Sequence, residues 1–134
     1  MVREYSFIIP LHIVVSKKTD KRVLLTLNKV IGINSFLWNK IKKNISNYII
    51  DTSPKIHLPI YGEYETICIY HWRNKKSDLS NISPVIMKIF LDVMQDMDIV
   101  KEDNIQFHVK NTDIVGDRVS EPALKIIIRE VKNE

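Results

Sequence analysis

The acidic side chains between residues 72 and 104 are of the kind that hold a metal ion beside a phosphodiester. Asp78 follows a basic run, Asp92 lies in an apolar helical stretch, and Glu102 and Asp103 form an acidic pair. Magnesium takes oxygen ligands and keeps several waters, so one to three carboxylates can hold it against a phosphate. Such an ion activates water and stabilises the leaving oxygen. The segment therefore points to metal-assisted phosphodiester hydrolysis.

Basic residues next to these acids are candidate contacts for a nucleic-acid backbone. Arg73, Lys75 and Lys76 come just before the first acid, and phosphate contacts of this kind supply affinity and register rather than sequence readout. For three charges alone, a solvated loop is the alternative. Residues 1–67 hold 10 Lys and Arg against 5 Asp and Glu, which gives this half a basic surface suited to a polyanion. Further candidate DNA contacts are Lys17, Lys18, Lys40 and Lys43.

The second predicted helix carries a polar stripe. Asn81, Lys88 and Asp92 are separated by seven and four residues, so they share one helix face. The alternative is a solvated face with an ordinary Lys88–Asp92 ion pair. Lysine before aspartate is the less favourable order for such a pair, which contributes only about 0.2–0.5 kcal/mol. From the residues alone, both interpretations stay open.

A chain of 134 residues predicts one domain. The hydrophobic periodicity predicts the strands and helices that position these residues. Strands are predicted at residues 4–15 (with Pro10 at an edge or a bulge), 23–27, 63–72, 105–110 and 123–131, the last two antiparallel. One helix is predicted from residue 34 or 35 to residue 51. A second helix is predicted to begin after a cap at Asn81 or Ser83, with Pro84 in its first turn, and to end at about residue 97. Asp113 and Gly116 are assigned to a loop. The order β(β)αβαββ predicts an α+β or α/β fold, a mixed sheet of four to five strands with two helices packed on it.

The single cysteine and the hydropathy exclude several classes of protein. One cysteine allows no internal disulfide and no multi-cysteine zinc site, and Cys68 lies in an alternating apolar run that favours a buried structural thiol. No segment reaches the ~18 apolar residues of a membrane span. The N-terminus lacks the basic region and cleavage site of a signal peptide. We therefore expect a soluble, cytoplasmic protein.

The segment SDLSN, followed by Lys88, Asp92 and KEDN, resembles the RusA-type Holliday junction resolvases, which are mainly phage-encoded endonucleases. The family pattern is Asp-Leu-Asp-Asn, then a helix with a lysine four residues before an aspartate, then an acidic pair. In the family, the pair lies eleven residues after that aspartate, and here Asp103 follows Asp92 by eleven. Leu27-Asn28 and the lysine-bearing helix after it resemble the family's N-terminal part. The resemblance covers most of the chain, but only residues 77–104 match a pattern that is specific to the family.

The resemblance implies a small α/β domain that forms a homodimer, binds four-way DNA junctions and uses Mg²⁺, with Mn²⁺ as an alternative. The resemblance also implies that the dimer makes paired nicks in the junction. These nicks serve DNA recombination and repair in the cytoplasm of a bacterial or phage-infected cell. By this resemblance, the catalytic residues are Asp78, Lys88 and Asp103. The implied metal ligands are Asp78, Asp92, Glu102 and Asp103, and Asn81 is a further motif position.

One departure from the family pattern is chemically important. Ser80 stands where the central acid of Asp-Leu-Asp-Asn is expected, and a hydroxyl is a poor substitute for a carboxylate ligand. Asp92 is the residue we expect to compensate. Two alternatives therefore remain: a junction-binding protein with lost or reduced cleavage, and a small interaction domain whose acids are merely solvated. The stretch between Asn81 and Asp92 is also about one helical turn longer than in the shorter family members, which keeps the face in register.

Overall fold

The computed structural model describes residues 3–16, 21–24, 35–53, 59–74 and 79–131. In chain order, the elements of these residues are β1 (Glu4–Pro10), β2 (His12–Ser16), β3 (Lys21–Leu24), α1 (Ser35–Thr52), β4 (Tyr64–Trp72), α2 (Leu79–Asp96), β5 (His108–Arg118) and β6 (Ala123–Glu130).

The main sheet has four strands in the order β1-β6-β4-β5. Strand β6 pairs antiparallel with β1 and with β4, whereas β5 pairs parallel with β4. Parallel neighbours need a long crossover connection, and α2 provides it between β4 and β5. Strands β2 and β3 form a separate antiparallel ribbon. The predicted α+β architecture, a mixed sheet with two helices, is confirmed with four strands.

Both helices bury an apolar face, and they cover one side of the main sheet. Phe7, Ile126 and Cys68 lie side by side on β1, β6 and β4 and are buried, and the Phe7 ring meets the edge of Phe90 on α2 with 5.1 Å between centroids. Helix α1 contacts β1 and α2 and buries residues at helical spacing: Ile41, Ile45 and Ile49. In the described ranges, neither helix is long and apolar enough to cross a membrane.

The prediction of one strand over residues 4–15 was wrong, because the chain changes partners in its middle. Leu11 is fully buried between β1 and β2, and its amide donates to the Pro122 carbonyl at 3.1 Å. Strand β1 therefore stays with β6 while β2 pairs with β3. Pro10 does lie on an edge strand, as its missing N–H requires. The predicted strand at 23–27 is β3, which begins two residues earlier, and residues 25–27 lie outside the described part.

The predicted start of the second helix was also wrong. Helix α2 begins at Leu79 rather than after a cap at Asn81 or Ser83, so Pro84 lies in its second turn. A proline there cannot donate to the carbonyl four residues earlier, that of Ser80. The helix tolerates this loss because its apolar face is buried, notably at Ile82, Val85, Ile86, Ile89, Phe90 and Val93.

Strand β5 differs most from the prediction. It starts at His108 and extends to Arg118, so Asp113 and Gly116 lie within a strand and not in a loop. Strands β5 and β6 run in opposite directions, but β4 separates them in the sheet. Polar side chains fit this strand because β5 is an edge and most of its residues are exposed. Ile105 lies in the preceding turn and is 90% exposed.

The prediction of a buried thiol is confirmed. Cys68 has no exposed surface on β4. Burial, together with the nearby Asp113 carboxylate, raises the pKa of the thiol to about 12. Cys68 is therefore protonated at neutral pH and acts as a small apolar core residue.

Candidate active site

The Lys88 ammonium lies between two carboxylates from different elements. Its Nζ is 3.3 Å from Oδ1 of Asp92 on α2 and 3.3 Å from Oδ2 of Asp103 before β5. These two oxygens are therefore at most 6.6 Å apart. The hydrogen bond to Asp103, and then the one to Asp92, raise the pKa of Lys88 above its ordinary value. A side chain that is 70% exposed thus holds a permanent positive charge between two acids.

The C-terminus of α2 directs the chain back toward Lys88. Asp98 adopts a left-handed conformation with φ of 57°, a conformation that aspartate tolerates better than most residues. The Ile99 amide donates to the Met94 carbonyl at 2.9 Å, and the Asp98 amide donates to Gln95 at 3.0 Å. This pair of bonds is a common helix termination motif, and the buried Ile99 and Met94 complete it. The acidic pair follows within five residues.

A buried tyrosine anchors the turn that carries the acidic pair. The Tyr64 hydroxyl donates to the backbone carbonyl of Glu102 at 2.8 Å, and Tyr64 itself has no exposed surface. The Glu102 carboxylate accepts a hydrogen bond from the side-chain amide of Asn104 at 2.6 Å, and the side-chain oxygen Oδ1 of Asn104 accepts one from the Gln106 backbone amide at 3.0 Å. Glu102 is thus engaged within the turn, while the neighbouring acid reaches Lys88.

His108 extends this network into the sheet. Its ring stacks on Tyr64 with 5.1 Å between centroids and 9° between planes. Its Nε2 lies 2.7 Å from Oγ1 of the buried Thr66, and that hydroxyl donates to Asn111 Oδ1 at 2.7 Å. Because the hydroxyl proton is used, Nε2 acts as the donor to Thr66. Burial lowers the pKa of His108, and the charge of Asp103 opposes that shift.

Tyr64 and His108 were missed as site residues in the sequence. No local spacing links them to Lys88, since they start two strands that are far apart in the chain. The available signal was the β4–α2–β5 order, because the first residues of two parallel strands meet at one edge of a sheet. Tyr64 and His108 are direct partners in that register.

The other predicted site residues lie elsewhere. Arg73 is exposed just beyond β4, at the end opposite Tyr64, and nine strand residues span about 26 Å. Ser80, in the first turn of α2, precedes Lys88 by eight residues, about 12 Å along the axis. Lys40 and Lys43 are exposed on α1. Asp78, Lys75, Lys76, Lys17 and Lys18 lie outside the described residues, and for Ser80 and Asn81 the backbone alone is described.

The donor set around Lys88 consists of carboxylate oxygens. In the described ranges, no group of three or more His, Cys, Asp or Glu side chains is arranged to hold a metal ion. Magnesium is commonly held by one or two carboxylates together with substrate phosphate oxygens and waters. Asp92 and Asp103 are the two carboxylates that would hold such an ion beside a substrate phosphate.

No protein-family model matches this chain, and no curated protein matches it in sequence. The geometry around Lys88 is therefore the structural observation on which a functional proposal depends.

Proposed function

We propose that this protein is a Mg²⁺-dependent endonuclease that nicks four-way DNA junctions as a homodimer, the activity that the RusA-type resemblance implies. The observation that supports it is the position of the Lys88 ammonium, 3.3 Å from both Asp92 and Asp103. Metal-assisted phosphodiester hydrolysis uses carboxylates to hold the ion and is helped by a fixed positive charge near the phosphate. These groups meet here although they come from a helix and from a distant turn.

Each residue of the cluster has a distinct role in this proposal. Asp103 and Asp92 would hold Mg²⁺, which when bound polarises the phosphate and lowers the pKa of a water. Lys88 stays protonated, so it stabilises negative charge on the phosphate oxygens and does not act as a base. The water would lose a proton to solvent and its oxygen would form a bond to phosphorus while the bond from phosphorus to the sugar oxygen breaks, and the leaving sugar oxygen would take a proton from solvent. Tyr64 holds the turn in place through the Glu102 carbonyl.

Exposed apolar residues on the sheet support the homodimer. Phe7 points to the helices, so Ile8 points to the opposite face, where it is 58% exposed. Ile114 on β5 occupies the same face and is 43% exposed. A second copy packed there would bury both side chains. Ile8→Glu with Ile114→Glu should then convert a dimer to a monomer, as measured by analytical ultracentrifugation.

Incubation with a synthetic four-way junction and Mg²⁺ tests the activity. Wild type should give paired nicks, and Asp103→Asn should lower the rate by about 100-fold or more. Asp96→Asn is the matched control, because Asp96 is an exposed acid one turn beyond Asp92 on the same helix. Absence of nicking by wild type with either Mg²⁺ or Mn²⁺, or equal nicking by Asp103→Asn, would defeat the proposal.

A second candidate function is junction binding without cleavage. One observation favours it: Ser80 stands in place of a family acid. This version predicts salt-sensitive junction binding with no metal-dependent product, and a gain of cleavage in Ser80→Asp. A chain with no affinity for any DNA at low salt would instead be an interaction domain.

A further inference from the structure

The parallel strands β4 and β5 end side by side at the edge of the sheet remote from Tyr64. Trp72 and Arg118 are register partners there, and the Val119 amide donates to the Trp72 carbonyl at 2.8 Å. The Trp72 indole donates to the Gly116 carbonyl at 3.0 Å. In open α/β sheets, ligands bind preferentially outside the carboxyl ends of the parallel strands, and β4 and β5 are the parallel pair of this mixed sheet. This edge is therefore a natural place for a second binding site.

A cavity of about 540 Å³ opens to solvent at this edge. It is lined by Arg73, Arg118, Val119, Ser120 and Glu121. The two arginines are held close together, because Nε of Arg118 donates to the backbone carbonyl of Arg73 at 3.5 Å. Two arginines and one serine thus line the cavity together with a single glutamate.

The charge of these arginines is available for a ligand. In the described parts of the chain, no salt bridge joins Arg73 or Arg118 to a carboxylate, and both residues are exposed. Arg129 shows the contrast, since Glu4 and Glu65 bind it at 3.6 Å and 2.8 Å. Arginines that stabilise a fold are commonly paired in this way, whereas a pair left open in a cavity suits an incoming anion.

We infer that this cleft binds a backbone phosphate of DNA, at a position separate from the Lys88 cluster. A guanidinium matches a phosphate with two parallel hydrogen bonds, and the Ser120 hydroxyl offers a second type of donor. Glu121 has an interaction of its own and reduces the net positive charge of the cleft without cancelling it. The inference rests on the proposed function for the identity of the polyanion. It does not require that the protein cleaves DNA.

Binding to a four-way junction, with Ca²⁺ in place of Mg²⁺, tests the cleft without cleavage. The affinity is measured by fluorescence anisotropy at several salt concentrations. Each phosphate contact contributes about 0.9 to the slope of log affinity against log salt. Because the cleft takes one phosphate, Arg73→Gln with Arg118→Gln should lower the magnitude of that slope by about 0.9. Each single variant should also lower the slope, by up to about 0.9, which keeps the test independent of whether the double variant folds. Lys110→Gln, an exposed residue at the other end of β5, is the control and should leave the slope unchanged.

The outcomes separate the cleft from the nuclease proposal. Equal slopes for wild type and all three arginine variants would overturn the inference even if wild type nicks junctions. Reduced slopes support the inference even if wild type does not nick. A titration of wild type with inorganic phosphate and with thymidine monophosphate, followed by NMR, identifies the source of the phosphate. Shifts of the residue 118–121 amides together with unchanged DNA slopes would assign the cleft to a free phosphate compound and overturn the DNA inference.

Discussion

The Lys88 ammonium and the Asp103 carboxylate lie 3.3 Å apart although fifteen residues separate them in the chain. This contact joins the middle of α2 to the turn before β5. Through the hydrogen bond from Tyr64 to Glu102, the same turn is joined to β4. Changes at any of these residues should therefore affect the geometry of the acidic pair, and they should do so to different extents.

Lys88→Met should remove activity with little effect on stability. Without the ammonium, Asp92 and Asp103 face each other unpaired, and the phosphate loses its positive partner, so we expect nicking to fall by about 100-fold or more. Because the ion pairs are exposed, the free energy of unfolding should change by less than about 1 kcal/mol. Junction nicking and urea unfolding measure the two effects. Lys110→Met is the control, and wild-type nicking by Lys88→Met would contradict the assigned role.

Tyr64→Phe should loosen the turn. The substitution removes the hydrogen bond to the Glu102 carbonyl, and one such bond contributes about 1 kcal/mol to the free energy of unfolding. Amide hydrogen exchange over residues 101–104 should increase by more than the global change in stability explains. Tyr48→Phe, on the exposed side of α1, is the control and should leave that exchange unchanged. Equal exchange rates in wild type and Tyr64→Phe would show that the bond does not hold the turn.

Local periodicity explains which elements could be predicted. Helix α1 and strand β4 were placed within one residue at each end, since their buried faces repeat at 3.6 and 2 residues. Strand β5 lacks that alternation because it is an exposed edge, so its polar residues resembled a loop. The contact of Lys88 with Asp92 follows from helix spacing. The approach of Tyr64 and His108 depends on parallel pairing between distant segments, which no local pattern contains.

His108→Gln should flatten the acid dependence of stability. Burial lowers the pKa of His108 in the folded protein, while in the unfolded chain it titrates near its ordinary value of about 6.5. Below that pH the unfolded chain binds more protons, so the free energy of unfolding falls as pH falls, by at most about 1.4 kcal/mol per pH unit. Above about pH 6.5 this loss is absent. Urea unfolding at pH 7.5 and 5.5 measures it, and an identical loss in His108→Gln would contradict the lowered pKa.

Gly116→Ala should destabilise the protein, and Gly62→Ala should not. A Cβ at Gly116 would lie 2.8 Å from the His71 ring and from the Ile69 side chain. The His71 Nδ1 accepts a hydrogen bond from the Asp117 amide at 3.3 Å, so the ring does not move away freely. Overpacking of this kind costs about 1–3 kcal/mol. Gly62 has open space around it and serves as the control in thermal or urea unfolding. Equal stability of the two variants would contradict this packing.

Strand β4 has hydrogen-bonded neighbours on both sides, β6 and β5. The distance between its two ends therefore cannot change unless both ladders break. The acidic turn lies at one end and the two cleft arginines at the other, about 26 Å apart. At 3.4 Å per base pair, this span equals about eight base pairs of duplex. Under the proposed function, a DNA arm shorter than about eight base pairs would reach only one of these regions, whatever its sequence.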